Sequence, residues 1–158
     1  MRNVRTLSTL ALVVGLTGCG YNRIQSLDEQ VNKGKKNIAV QLQRRADLVP
    51  GLVEVVRGAA KQESEVFTAI ADARARLAGA AKPDGDLKEM ASAANQLNGA
   101  LSRLLVIQEN YPQLRSMDSF RGLSDELTGT ENRVAAARTD YNRSEEHTFE
   151  LQSRFGIS

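Results

Sequence analysis

The chain has 158 residues, a net charge of +2 and a single cysteine. This length suits one domain, and the near-neutral charge without a basic run among aromatic residues argues against nucleic acid as a partner. One cysteine can form neither an internal disulfide nor a cysteine-based zinc site. The apolar residues are mainly Ala, Leu and Val, with no Trp and only three Pro, which favours packed helices over a sheet.

The first 18 residues have the layout of a secretory signal. Arg2 and Arg5 form a short basic region, and the apolar run Leu7–Leu16 follows it. This run is about half of the roughly 20 residues that span a bilayer, so residues 1–18 are predicted to be a cleaved signal peptide. The alternative is that Cys19 keeps an unmodified thiol at the end of a signal anchor.

The four residues Leu16–Cys19 resemble the lipobox of bacterial lipoproteins. The resemblance implies that the Cys19 thiol takes a diacylglyceryl group and that cleavage before Cys19 frees an amine for a further acyl chain. Because more than one chain makes a stable anchor, we predict a lipoprotein held in the membrane through Cys19 and facing the periplasm. Gly20, with no acidic residue nearby, slightly favours the outer membrane by analogy with lipoprotein sorting.

Apolar residues recur at helical spacing from Tyr21 to Asn142. The first stripe begins near Ser26–Glu29, which has the form of a capping box. Pro50 is predicted to open a second helix. One long, kinked helix is the alternative, because the seven-residue register continues through Pro50, at Leu42, Arg45, Val49 and Leu52.

The remaining stripes complete a bundle. The second runs without a slip from Leu52 to Leu77, the third begins at Asp86 and closes at Tyr111–Pro112, and the fourth begins at about Asp118. Such helices are only marginally stable in isolation, so their apolar seams must pack against one another. Short connections make neighbouring helices antiparallel. The prediction is an all-α, antiparallel, up-and-down four-helix bundle with long helices over residues 19–142.

The last stretch, Arg143–Ser158, departs from this pattern. It resembles the translation of a sequencing-adapter read-through, so residues 143–158 are predicted to be a disordered artefact that replaces natural sequence after Asn142. A genuine short disordered tail is the alternative. The chain's single histidine, His147, lies here and therefore carries no mechanistic argument.

Two polar residues, Glu63 and Thr130, occupy stripe positions where apolar residues are expected. A buried carboxylate must be paired or hydrogen-bonded, and the candidate partners are Arg44, Arg45, Asp47, Glu131, Asn132 and Arg133. The prediction is a polar core layer of Glu63, Thr130 and Arg133 that sets helix register. The alternatives are a boundary position at which the Glu63 carboxylate reaches water, and a ligand pocket around Glu63. No catalytic residue, metal site or cofactor is predicted, because no nucleophile has a base in reach and no Glu-x-x-His pair exists.

Several blocks of the sequence carry a family resemblance. The most specific is Val40–Pro50; others are Ala73–Arg76, Leu101–Leu105, Glu109–Pro112, Thr130–Val134 and Tyr141–Asn142. Together these blocks resemble the LemA family. The resemblance covers nearly all of residues 21–142 in order. It implies a membrane-attached protein with an extracytoplasmic, bromodomain-like four-helix arrangement and no established enzyme activity.

The predicted function is a non-enzymatic scaffold or adaptor in the bacterial cell envelope. It would be anchored through lipid on Cys19 and would bind an envelope protein through its outer faces. One alternative is a small-ligand carrier or enzyme that uses the bundle core around Glu63. Another is a structural coiled-coil element, which a continuous helix through Pro50 with self-association would favour. The oligomeric state and the partner's identity do not follow from the sequence.

Overall fold

The structure of the protein is a computed structural model that describes the backbone of residues 2–155 and the side chains of residues 25–150 and 153. This range contains five helices: α1 (Arg2–Ala59), α2 (Ser64–Ala80), α3 (Leu87–Asn110), α4 (Gln113–Ser116) and α5 (Asp118–Phe155). The described range contains no strand, and the predicted all-α bundle with long helices is confirmed. The side chain of Cys19 lies outside the described residues.

Lys35–Arg138 forms one compact unit, and the segments that flank it form a second. Within Lys35–Arg138, residue numbers rise along α1 from Arg45 to Gly51 while those of their neighbours on α5 fall. Arg45 contacts Glu131, and a Cβ at Gly51 would lie 3.6 Å from Leu123. The two helices are therefore antiparallel, as predicted.

The core of this unit is made by the apolar seams. Full burial of a Leu, Ile or Val side chain stabilises the fold by about 1.5–3 kcal/mol, so the seams stabilise helices that would be marginal alone. The buried seam residues include Leu42, Val49 and Val56 on α1, Ile70 and Leu77 on α2, Leu97 and Leu104 on α3, and Leu127 and Val134 on α5.

The predicted turn at Pro50 is wrong, because α1 continues through Pro50 and ends at Ala59. Proline has no N–H, so the Ala46 carbonyl loses its donor from within the helix. Arg74 of α2 supplies one instead, since its Nε donates to the Ala46 oxygen at 3.1 Å. A side chain from the neighbouring helix thus satisfies the carbonyl that Pro50 leaves unpaired, and at this junction the alternative of one continuous helix holds.

The chain reverses later, at residues 60–63, where the sequence predicts an uninterrupted helix. The Ala60 amide closes α1 by donating to the Val56 oxygen at 2.9 Å, and the Glu63 amide donates to the Ala60 oxygen at 3.2 Å. Gln62 Nε2 donates to the Tyr111 hydroxyl at 2.7 Å, which ties this connection to the end of α3. Because the connection is short, the regular spacing of apolar residues continues across it from α1 into α2 and does not reveal the reversal.

The boundaries of α3 and the start of α5 agree with the sequence. Asp86 caps α3, its side chain accepting from the Lys88 amide at 3.2 Å. Gly85 precedes the cap in a tight approach, since a Cβ there would lie 2.5 Å from the Ala80 oxygen. The turn between α2 and α3 therefore requires glycine.

The flanking unit differs from expectation in two ways. Ser26 lies inside α1, so the predicted capping box does not start a helix. Residues 143–155 are helical instead of disordered. This stretch contains helix formers such as Glu145 and Glu146 and neither Gly nor Pro before Gly156. Its origin as an adapter artefact stays a prediction.

Tyr141 of α5 packs closely on α1 in this flanking unit. A Cβ at Gly34 would lie 3.3 Å from the Tyr141 Cα, so Gly34 allows the two helix backbones to approach. The Tyr141 hydroxyl donates to Glu145 Oε1 at 3.4 Å. Burial raises the pKa of Tyr141, and the nearby Glu145 carboxylate raises it further, so the phenol is held neutral.

Candidate functional site

The structure does not assemble the predicted layer of Glu63, Thr130 and Arg133. Glu63 lies half-buried in the connection before α2, while Arg133 is exposed on α5. Thr130 is fully buried, and its hydroxyl donates to the Leu127 oxygen of its own helix at 2.7 Å. Because that bond satisfies Thr130, it needs no partner from another helix. The layer is corrected accordingly, whereas the alternative, a ligand pocket around Glu63, stays a prediction.

Arg45 is the charged residue that enters the core instead. Its side chain is only 7% exposed, and its Nη2 lies 3.5 Å from Glu131 Oε2. Its Nε has no hydrogen-bond partner among the described residues. The sequence holds a signal for this, because Arg45 occupies a position in the seven-residue apolar register of α1.

Glu131 connects Arg45 to a third helix. Its Oε1 accepts from Asn98 Nδ2 of α3 at 3.4 Å, while its side chain remains 55% exposed. Both contacts of Glu131 are at the long end of the hydrogen-bond range and are correspondingly weak. The guanidinium of Arg45 is therefore buried with less compensation than such a group ordinarily has.

A cavity of about 130 Å³ lies beside this cluster, between α1, α3 and α5. Ser124 is one of its polar lining residues, and the buried Ser124 Oγ has no hydrogen-bond partner among the described residues. The polar lining is Arg45, Ser124, Thr128 and Glu131, and the apolar lining is Leu52, Leu101, Leu104, Leu105 and Leu127. One side of the cavity therefore carries polar atoms that have no hydrogen-bond partner among the described residues, and leucine side chains line the other walls.

Two other clefts are lined by arginines that either have partners within the protein or, like Arg103, are exposed to solvent. The cleft between α1 and α2, about 620 Å³ in volume, contains Arg74, which bonds Ala46, and Arg57, whose guanidinium carbon lies 5.3 Å from the centre of the Phe67 ring. The cleft between α2 and α3 contains Arg76, whose Nη1 donates to Gln96 Oε1 at 2.8 Å. The Arg45 cavity is therefore the better candidate for a ligand.

The described residues provide neither a metal site nor a membrane span. They contain no group of three or more His, Cys, Asp or Glu side chains placed to hold a metal ion. None of the helices, as far as they are described, combines the length and apolar character that a bilayer crossing requires.

Comparison with known proteins identifies the bundle. The LemA family matches residues 34–152, more than half of the chain. The chain belongs to the LemA family. The match extends beyond Asn142, where the sequence analysis placed the end of the domain, and it includes α3 and the Arg45 cluster.

This LemA family protein is also similar to curated magnetosome proteins. Magnetosome proteins MamQ 1 and MamQ 2 of Paramagnetospirillum magneticum are each 27% identical to it over 88% of this chain and 59% of their own length. Magnetosome protein MamQ of Magnetospirillum gryphiswaldense is 27% identical over 87% of this chain and 60% of its own length. The chain therefore spans about three fifths of these relatives.

Proposed function

We propose that this LemA family protein is a lipid-anchored adaptor in the bacterial cell envelope, without catalytic activity. The observation that carries the proposal is the lipobox-like Leu16–Cys19, which follows a basic and apolar leader and precedes the helical bundle. The diacylglyceryl group and the further acyl chain on Cys19 would hold the protein at the membrane without a spanning helix. The periplasmic face of the outer membrane is the proposed location, with Gly20 as its support.

The bundle supports a binding role for its outer faces. Several large apolar side chains remain exposed, including Val40 on α1, Leu105 and Val106 on α3, and Met117 before α5. Leu105 and Val106 are both exposed on α3, about 100° apart around its axis, and exposed apolar surface of this kind marks protein–protein contacts when it forms a patch. We therefore infer that the outer surface of α3 contributes to partner binding.

The curated relatives are named as magnetosome proteins. From these names we infer only that family members work as parts of a larger cellular structure. An adaptor fits that role because it requires surfaces and a fixed position more than a reactive site.

In-cell crosslinking of the full-length protein, followed by affinity recovery, tests the adaptor proposal. We expect one dominant protein partner and its loss in Val106→Glu, because a charge on an apolar contact is costly to bury. Asn95→Glu, at an exposed position on the same helix about three turns from Val106, is the matched control and should retain the partner. Recovery of no protein, with a retained small molecule instead, would reject the adaptor.

A further inference from the structure

We propose that the cavity beside Arg45 binds a small monocarboxylate with a short hydrocarbon tail. The ligand's carboxylate would accept from Arg45 Nε and Ser124 Oγ, and its tail would lie among the leucines. This site goes beyond the adaptor function and does not depend on it.

Charge is the first argument. Arg45 is 6% exposed and carries a permanent positive charge, yet among the residues whose side chains are described its Nε has no partner and its one ion pair is long, at 3.5 Å. A buried guanidinium is stable when acceptors fill its donor sites, and a carboxylate is the acceptor whose geometry matches it best. Ser124 Oγ, also buried and unpaired, offers a further donor.

Size is the second argument. The cavity has a volume of about 130 Å³, slightly less than the roughly 150 Å³ of an engineered cavity that holds benzene. It therefore accommodates a ligand of about six non-hydrogen atoms, such as a four-carbon acid.

The composition of the walls argues against water as the full occupant. A buried water needs about three hydrogen bonds, and several waters would be needed to fill this volume. The five leucines that line the cavity offer none. A molecule with one charged end and an apolar body satisfies both parts of the wall at once.

Glu131 shapes the affinity for such a ligand. Its carboxylate also lines the cavity, and its negative charge opposes a second carboxylate there. Solvent screens this repulsion because the Glu131 side chain is 55% exposed. Leu105, which is 53% exposed and lines the same cavity, provides the route by which a ligand enters.

Titration of the full chain with butyrate, followed by NMR chemical shifts or calorimetry, tests the site. Butylamine and butanol serve as ligand controls of the same size. We expect saturable binding of butyrate, at least about tenfold weaker binding of the neutral alcohol, and no binding of the amine, because a bond to a charged group contributes more than a neutral one.

Four variants locate the site. Arg45→Met should weaken butyrate binding by at least about tenfold and Ser124→Ala by about threefold, whereas Glu131→Gln should strengthen it severalfold by removing the repulsion. The matched control Arg44→Met, at the adjacent exposed arginine, should change it less than about twofold. Thermal unfolding checks each fold, and Ser124→Ala with Glu131→Gln decides the question if Arg45→Met does not fold. Equal affinity for butyrate and butanol would overturn the proposal. Butyrate binding that neither Ser124→Ala nor Glu131→Gln changes would also overturn it, as would a cavity that retains only water.

Discussion

Arg44 and Arg45 are consecutive residues with different surroundings. Arg44 is 56% exposed and pairs with Glu126 at 3.0 Å, whereas Arg45 is 7% exposed and pairs with Glu131 at 3.5 Å. An exposed pair contributes about 0–1 kcal/mol because water replaces the lost partner, but water does not reach a buried guanidinium as easily. Removing the carboxylate of the shorter contact is therefore expected to cost less than removing that of the longer one.

This difference predicts the cost of removing each carboxylate. Glu131→Ala should lower the free energy of unfolding by about 1–3 kcal/mol, since it leaves Arg45 buried without its counter-charge. Glu126→Ala, the control, should lower it by less than about 1 kcal/mol. Urea unfolding followed by circular dichroism measures both. Equal losses in the two variants would show that Arg45 is better solvated than the structure indicates.

The spacing of apolar residues along the chain predicts which side of a helix is buried, and little more about individual residues. The seven-residue register places Arg45 on the buried side of α1, so its entry into the core could be predicted. Glu63 fits the spacing equally well but lies at a chain reversal. Spacing does not show which hydrogen bonds form, so the unpaired Nε of Arg45 and the Ser124 hydroxyl could not be predicted.

At the scale of elements, the continuity of α1 depends on a contact from α2. Arg74 Nε donates to the Ala46 carbonyl, which Pro50 leaves without its helical donor. In the natural background, Arg74→Ala should therefore cost about 1 kcal/mol or more. In Pro50→Ala, where residue 50 again has an N–H, the same substitution should cost much less.

A double-mutant cycle by urea unfolding measures this coupling, which should be about 1 kcal/mol. Arg76→Ala is the control. Arg76 also lies on α2 but bonds Gln96 of α3, so its loss should be independent of residue 50. An Arg74→Ala cost that is the same with Pro and with Ala at position 50 would refute the role assigned to Arg74.

Replacing two glycines with alanine should have opposite effects on stability, because Gly85 lies in the turn between α2 and α3 and Gly99 lies within α3. Gly85→Ala places a Cβ about 2.5 Å from the Ala80 oxygen, which forces the turn to move and should destabilise the fold by about 1–3 kcal/mol. Gly99→Ala lies in the interior of α3 with nothing within 4 Å of the new Cβ. It should stabilise the protein by about 0.5–1 kcal/mol. Thermal unfolding compares them; a stabilising Gly85→Ala would contradict this account of the turn.

Element boundaries could be predicted only where a cap or breaker acts locally. Asp86 and Pro112 mark the two ends of α3 as the sequence indicates. Pro50 does not end a helix, because the partner that satisfies Ala46 comes from 28 positions further along the chain. The reversal at residues 60–63 has no Gly or Pro of its own, so the sequence offers no strong breaker there.

At the scale of the whole molecule, the bundle class follows from composition and seams, since Ala- and Leu-rich helices must bury one another. The cavity beside Arg45 does not follow, because it depends on how three helices fit together. The helix over residues 143–155 does not follow either. There the resemblance to an adapter sequence suggested disorder, while the residues themselves favour helix.

The lipid anchor is the central claim about the whole molecule. The direct test is intact-mass analysis of the protein recovered from bacterial membranes, with Cys19→Ser as the control. The account predicts a chain that begins at Cys19 and carries a diacylglyceryl group and a further acyl chain, and a Cys19→Ser variant that carries neither. A membrane protein that retains residues 1–18 and has a free thiol at Cys19 would contradict it.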